Sequence, residues 1–525
     1  MMVSHTSVDV KQPPSTLRMT RLIPIAALLL SASAPFLFRG FATVDGPQHA
    51  LHALILEARF SGDRFHADGM TYDAASLPAY WSQIPVMLLM RFLPMELAER
   101  ALAFPCAAFV GLSLLALIRS YTPGASLSML WAIPFLFSYL LVMGFHHFQF
   151  GVGLCFFTAA WYRRRQVPWK RWFGVALAAL LAWASHRATL PLMAGLLTVM
   201  VVVEEASRPF EASRRARMHR IMMAFACAAL MAALAIWLHT TLNEVRASGE
   251  WRPVELRDYP LARPLLLLDH TLEKTPLLVL CTILTGALVS GMVVRWRIGP
   301  RMIDTDALLL MAVAFVLASL LLSSERAQAL YLGERLQWLG LLVLVPWLSA
   351  MHARASGELR RSLALFALMM LPVQFIRWGH AEMTLSGLGD QHALIEEVAA
   401  ELKPNGVVLV GRAEKNWLLQ HTPARLAMSY SGLLLPGPPL RTRAFGLMGP
   451  RRVQYRFWEL ANEPSALSAH WGERQQPMID QVLLLGPDRG LRARWLRHWQ
   501  PVLESHYWKT FDNGYASVWT ARADT

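Results

Sequence analysis

The chain has 525 residues, 55% of them hydrophobic and only 16% charged, with a formal net charge of +14 and a mean hydropathy of +0.35. Such totals exclude an ordinary soluble protein, whose core does not need so many long apolar runs. The positive charge sits in short loops between those runs, the positive-inside pattern of a polytopic membrane protein, which argues against nucleic acid as a partner.

Lys11, Arg18 and Arg21 precede the first apolar run, 22–38. Ser31-Ala32-Ser33-Ala34 offers a weak signal-peptide cleavage site, but the run is taken as an uncleaved first span, because the segment after it needs an anchor. That segment is Thr43-Val44-Asp45-Gly46-Pro47-Gln48-His49-Ala50-Leu51-His52. Asp45 and His49 are four apart and share a helical face, with His52 one turn further on. Asp45 with Gln48 three residues later also reads as a capping pair, and Pro47 suits a first helical turn. A carboxylate with imidazoles at a membrane boundary suits lipid-linked chemistry, and it suits a plain helix start as well.

Between 77 and 162 lie four apolar segments, about 79–93, 97–118, 126–143 and 147–162. Four crossings would put Arg163 on the side of Asp45, against the charge rule, so one segment is expected to be re-entrant or interfacial. The candidates are 79–93, which is short and carries Pro85 and Arg91, and 126–144. With three crossings, Met143-Gly144-Phe145-His146-His147-Phe148 falls on Asp45's side. His146 and His147 are adjacent, so on a helix they point ~100° apart and do not easily face one site. One of them is equally well explained as a hydrogen-bond partner of a neighbouring span.

Further along, the apolar runs pair as hairpins: 172–185 with 189–203, 221–237 with 276–294, and 307–322 with 338–350, while 362–376 goes out alone. Basic loops at Arg163–Arg171, 208–220, 295–301 and 354–361 mark the cytoplasmic side. The far side then receives Ser185-His186-Arg187, the long loop 239–275, Ser324-Glu325-Arg326, Gly333-Glu334-Arg335 and everything beyond 378. Water and lipid headgroups are enough to satisfy His186 and Arg187. Arg335, at the head of an apolar run, is placed to grip a phosphate bidentately, with Arg326 second; Glu334 and Glu325 are alternative ion-pair partners. The loop 244–274 is nearly balanced in charge, as a flap or a plain solvated loop would be.

From about Gly379 the composition changes. An amphipathic helix at 391–402, strands at 407–410 and 479–485, a helix at 491–499 and a hairpin around Asp512-Asn513-Gly514 predict a small α/β domain. It has no glycine-rich nucleotide fingerprint. The four cysteines, Cys106, Cys155, Cys227 and Cys281, all lie in apolar runs, with no disulfide framework or CxxC pair. No stretch has metal-ligand spacing of HExxH quality.

The expected fold is mostly α: a polytopic helical bundle of about eleven spans with a C-terminal soluble α/β domain. Its parts are a cytoplasmic tail (1–21), a transmembrane domain (22–378, with an outer loop at 40–78) and a soluble domain (379–525). This order of features resembles the GT-C superfamily, the membrane glycosyltransferases that use polyprenyl-phosphate sugars. Asp45-Gly46-Pro47-Gln48-His49 resembles the start of the first outer loop in bacterial members, and Met143-Gly144-Phe145-His146-His147-Phe148 resembles a later segment.

The resemblance covers roughly 22–378 and implies a sugar transferase of the bacterial inner membrane. Its N-terminus would be cytoplasmic, its C-terminal domain periplasmic, its donor a polyprenyl-phosphate sugar, and its acceptor a glycan, lipid or protein. It implies Asp45 as the catalytic carboxylate, with His49 as its partner. Gln48, His52, His146, His147, His186, Arg187, Glu325, Arg326 and Arg335 are then candidate substrate contacts. Many members carry paired acids in that first loop; here Gly46 follows Asp45, so a divalent metal is compatible but not required. Two other classes fit the same topology. A flippase for a lipid-linked intermediate should show ionisable residues within spans and an inverted repeat, neither of which is evident. A non-catalytic scaffold should keep its function in the C-terminal domain alone.

Overall fold

The computed structural model describes residues 14–61, 71–72, 77–207, 273–321, 331–413, 417–419, 422, 425–426, 433–436, 447–448 and 479–522, apart from positions 39, 42, 125, 126, 166, 187 and 405. The expected span at 221–237 and most of the loop 239–275 lie outside these residues, as do Arg187, Glu325 and Arg326.

The first helix, α1 (Pro14–Ala32), begins earlier than the apolar run and leads through a short turn of helix to α2 (Gly46–Ser61). α3 (Leu77–Met90) lies beside α2, fastened by Gln83 to His52 and by Arg91 to Glu57 at 3.0 Å. At 14 residues α3 rises only ~21 Å, less than the ~30 Å hydrocarbon layer. α4 (Met95–Tyr121) is a full-length apolar helix.

The segment 127–142 is unlike its neighbours. It is a 3-10 turn (Leu127–Ala132) followed by two single turns of helix (Ile133–Leu136 and Tyr139–Val142), and it is buried almost throughout. Broken backbone at membrane depth survives only where protein satisfies its polar groups. Here three side chains from three different helices do so. Ser31 donates to the Ile133 carbonyl at 3.2 Å, Arg377 to Pro134 at 3.1 Å and the Trp338 indole to Phe135 at 2.9 Å. These are carbonyls that a helix end leaves without a partner.

From there α5 (His146–Arg164), α6 (Pro168–Ser185) and α7 (Thr189–Ser207) run in succession. α8 (Lys274–Ile298), α9 (Asp306–Leu321) and α10 (Leu332–Arg354) complete the bundle. The ends of α5, α8 and α10 that carry the basic residues are held together by acids. Arg163 bonds Asp304 at 2.7 Å, Arg354 reaches Asp304 at 3.7 Å, and Arg295 clamps Asp306 with two bonds of 2.8 Å.

α11 (Gly357–Ala400) is a single helix of 44 residues, ~66 Å long. The apolar run 362–376 and the amphipathic stretch 391–402, separate elements by composition, are continuous here because no glycine or proline between them breaks the backbone ladder. Gly379, Gly387 and Gly389 are all accommodated as helix.

Beyond it lies a five-stranded sheet of β1 (Val407–Arg412), β2 (Leu433–Pro436), β3 (Gln481–Leu485), β4 (Tyr507–Asp512) and β5 (Ala516–Ala521), in the order β2-β1-β3-β5-β4. β1 pairs in parallel with β2 and β3; β5 is antiparallel to β3 and β4. Gly514 adopts φ +81° at the expected hairpin, where the Asn513 side chain accepts from Tyr515 and Ala516 N–H. α12 (Arg489–His506) starts on an Asp488 cap whose side chain accepts from Leu491 N–H at 2.8 Å. This domain touches the bundle through Arg425, which bonds Glu96 of α4 and Glu396 of α11, and through Asn513, which donates to Glu397 at 3.0 Å.

Candidate active site at the Asp45 end of the bundle

Two short strings singled out from the sequence lie against one another. Val44 N–H donates to the Val142 carbonyl at 2.9 Å, and Asp45 N–H to the Met143 carbonyl at 3.1 Å. Gly144 has φ +90°, and a Cβ there would stand 2.8 Å from Thr43 Oγ1 and 3.1 Å from Asp45 Cβ. The expectation that 144–149 falls on Asp45's side therefore agrees with the packing. Asp45 is buried (8% exposed), and its carbonyl accepts from His49 N–H at 2.9 Å, so it stands at the N-cap position of α2.

Arg335, in the first turn of α10, arrives from the other side. Its guanidinium lies within electrostatic reach of the carboxylates of Asp45 and Glu334. It lies over the Phe145 ring at 4.1 Å and the Phe148 ring at 5.1 Å, and its Nη1 is 3.0 Å from His186 Nε2. Ala188 N–H also points at His186 Nδ1, at 3.2 Å. A neutral imidazole has a single acceptor nitrogen, so the ring accepts from one of these two donors at a time. Tyr331, whose φ of 49° makes it the only described non-glycine residue in the left-handed region, starts α10 and lays its ring against Phe145 at 5.5 Å.

The adjacent histidines both approach His49, contrary to the ~100° argument. His147 meets its ring edge-on at 5.2 Å between centroids, and His146 joins it in a crevice also lined by Gly46, Val86, Glu99 and Leu102. The two lie in the opening turn of α5. His52 is held differently. Gln48 approaches one ring nitrogen at 2.7 Å and Gln83 the other at 3.3 Å, which fastens α2 to α3. Asp45, His49, His146, His147, His186 and Arg335 are thus gathered at one corner, while Gln48 and His52 form a neighbouring polar seam.

Glu99 is the residue the sequence reading passed over. It is buried in the first turns of α4, its Oε1 accepts from Thr43 N–H at 2.5 Å, and its Oε2 has no hydrogen-bond partner among the described residues. A Cβ on Gly46 would lie only 2.2 Å from Glu99 Oε1. The position where the resemblance leads one to expect a second acid is therefore a glycine, and a carboxylate from α4 fills the space beside it. An acid so close to the head of an apolar run was the available signal. Gly46→Ala is expected to cost ~1–3 kcal/mol of stability through overpacking. Most of that loss should disappear in a Glu99→Ala background, read by thermal unfolding of the four proteins of the cycle.

Among the described residues, no group of three or more His, Cys, Asp or Glu side chains is arranged to hold a metal ion. His49, His146 and Glu99 share a crevice without converging on a point.

No protein-family model and no curated protein matches this sequence. Solved structures do match its fold. ArnT from Cupriavidus metallidurans in the apo state superposes with a TM-score of 0.55 at 13% identity, over 97% of this chain and 98% of that one. The same protein bound to undecaprenyl phosphate superposes with a TM-score of 0.54 at 13% identity, over 98% and 99%. The chain therefore shares the fold of these two structures, an apolar helical bundle followed by a small C-terminal domain.

Proposed function

We propose that this chain is an integral membrane glycosyltransferase of GT-C type, moving a sugar from a polyprenyl-phosphate donor to a glycan, lipid or protein acceptor at the outer face of a bacterial inner membrane. The observation that carries the reading is that the starts of α2 and α10 come to one corner: Asp45 N–H bonds the Met143 carbonyl, and two residues on, the Phe145 ring lies under the Arg335 guanidinium at 4.1 Å, with His186 against the latter. A fold in common with a protein whose structure holds undecaprenyl phosphate supports the donor class.

In this reading the acceptor hydroxyl attacks the anomeric carbon as the bond from sugar to phosphate breaks. Asp45 takes the hydroxyl proton, and the polyprenyl phosphate leaves with the bonding electrons. His49 orients Asp45 or shares its proton. Arg335, stacked on two phenylalanines and hence limited in its rotamers, holds the phosphate as its charge develops. Glu99 is a second acid behind Gly46. The C-terminal domain lies on the same side, since Arg425 bonds Glu96, one turn before Glu99.

The clamp is tested by lipid binding. Undecaprenyl phosphate should bind the purified protein, and Arg335→Gln should weaken it roughly 10- to 100-fold, the loss expected for a hydrogen bond to a charged group. Native mass spectrometry of wild type and variant measures this directly; equal affinities would remove Arg335 from the assignment.

A further inference from the structure

The opposite end of α5 carries a second site. α5 runs ~27 Å from the His146 corner to Arg164. There Ala116 of α4 and Phe157, Ala160 and Trp161 of α5 wall an apolar cavity of about 410 Å³, with Arg164 and Arg165 at its mouth. That size falls within the roughly 300–1,000 Å³ of small-molecule sites.

The mouth is built around the arginines. Arg164 Nη2 donates to the Ala116 carbonyl at 3.1 Å, which ties its side chain to the cavity wall. The Arg165 guanidinium lies over the Trp161 ring at 4.3 Å, and the Trp161 indole is itself held by the Lys170 carbonyl at 3.2 Å. Lys170 and Arg171 follow in the first turn of α6, where Arg171 donates to the Arg165 carbonyl at 2.8 Å and lies over the Tyr162 ring at 4.5 Å. Among the described residues, none of these four cations pairs with a carboxylate, whereas Arg163, one residue away, is bound to Asp304. Exposed Trp169, Trp172 and Phe173 surround the loop, the aromatic composition of a headgroup boundary.

We infer that this cavity binds an anionic phospholipid, with an acyl chain along the wall formed by Ala116, Phe157 and Ala160 and the headgroup phosphate on Arg164 and Arg165. Charge complementarity selects the occupant. A zwitterionic lipid offers the same chain but brings its own cation to a mouth that already holds two, with two more close by in the chain. A free phosphate would make no use of the apolar walls. Clusters of Lys and Arg immediately beside a span recognise anionic headgroups in this way. The site lies at the other end of the bundle from Asp45, so it is separate from donor binding.

Native mass spectrometry of the purified full chain, titrated with phosphatidylglycerol and with phosphatidylcholine of the same acyl length, tests the inference. Phosphatidylglycerol should bind at least tenfold more tightly, and excess inorganic phosphate should not displace it. Arg164→Gln with Arg165→Gln should abolish the preference, and Ala116→Leu, which fills the groove, should weaken binding of both lipids. Arg361→Gln, which removes an exposed charge at the same end (its partner is Glu358), should change neither. Equal binding of the two lipids by wild type would overturn the proposal. So would displacement by phosphate alone, or an effect of Arg361→Gln as large as that of the double variant.

Discussion

Asp45→Asn is expected to lower sugar transfer by about 10²–10⁴-fold, the usual contribution of a positioned general base, with expression and folding unchanged. The substitution is chosen because Asp45 has two roles that the fold superimposes. Its carbonyl starts α2, and its carboxylate lies within electrostatic reach of the Arg335 guanidinium. Asparagine caps a helix about as well as aspartate, so the N-cap contribution of ~1 kcal/mol survives while the charge and the basic oxygen are lost. Asp45→Ala removes both and should cost stability as well as rate. Turnover by membranes containing each variant, with a polyprenyl-phosphate sugar as donor, measures the first effect, and thermal unfolding measures the second. An Asn variant with wild-type turnover would leave Asp45 as a helix start and nothing more.

Arg377→Met should destabilise the bundle by about 3–5 kcal/mol, the largest stability effect expected of a single change here. Arg377 is 1% exposed and lies 3.5 Å from Glu273, whose side chain is 3% exposed, and it donates to the Pro134 carbonyl as well. Removing the cation takes its 3.5 Å counter-charge from a buried carboxylate and a donor from a broken-helix carbonyl. Replacing both members, Arg377→Met with Glu273→Leu, should recover most of the loss, because an apolar pair of similar volume is often as stable as a buried ion pair. The part not recovered reports the bonds to the Pro134 carbonyl and to Gln374 Oε1. Thermal unfolding in detergent gives the four corners of this cycle, and a single variant as stable as wild type would show that the pair contributes nothing. The segment anchored in this way ends at Val142 and Met143, whose carbonyls hold Val44 and Asp45, so the single variant should also weaken donor binding.

Legibility varied with the kind of interaction. The bundle, four of the five C-terminal strands with the Asp512-Asn513-Gly514 hairpin, and the placing of 144–149 on the side of Asp45 all followed from apolar period, turn chemistry and charge asymmetry, whereas the edge strand Leu433–Pro436 had no such signal. These are local signals, written in consecutive residues. The segment between 77 and 162 that departs from a plain crossing was narrowed to two. The structure gives each a different character: 77–90 is a short helix laid beside α2, and 127–142 is a broken stretch sealed inside the bundle.

Glu99 and the Arg377–Glu273 pair escaped because their partners are distant in the chain: Thr43 is 56 residues from Glu99, and Glu273 is 104 residues from Arg377. A charged residue near an apolar run has the same local spelling whether it faces headgroups or a buried counter-charge. The convergence of His146 and His147 on His49 is likewise a matter of where two helix ends meet, which no spacing within one helix encodes. The sequence alone determined a membrane bundle, its polar end and its candidate acid, because burial in lipid demands long apolar helices and leaves the functional groups at their ends. Only the tertiary structure decided which of those groups share a corner, because the side chains that satisfy a buried charge or a broken backbone come from helices that meet only once the bundle has packed.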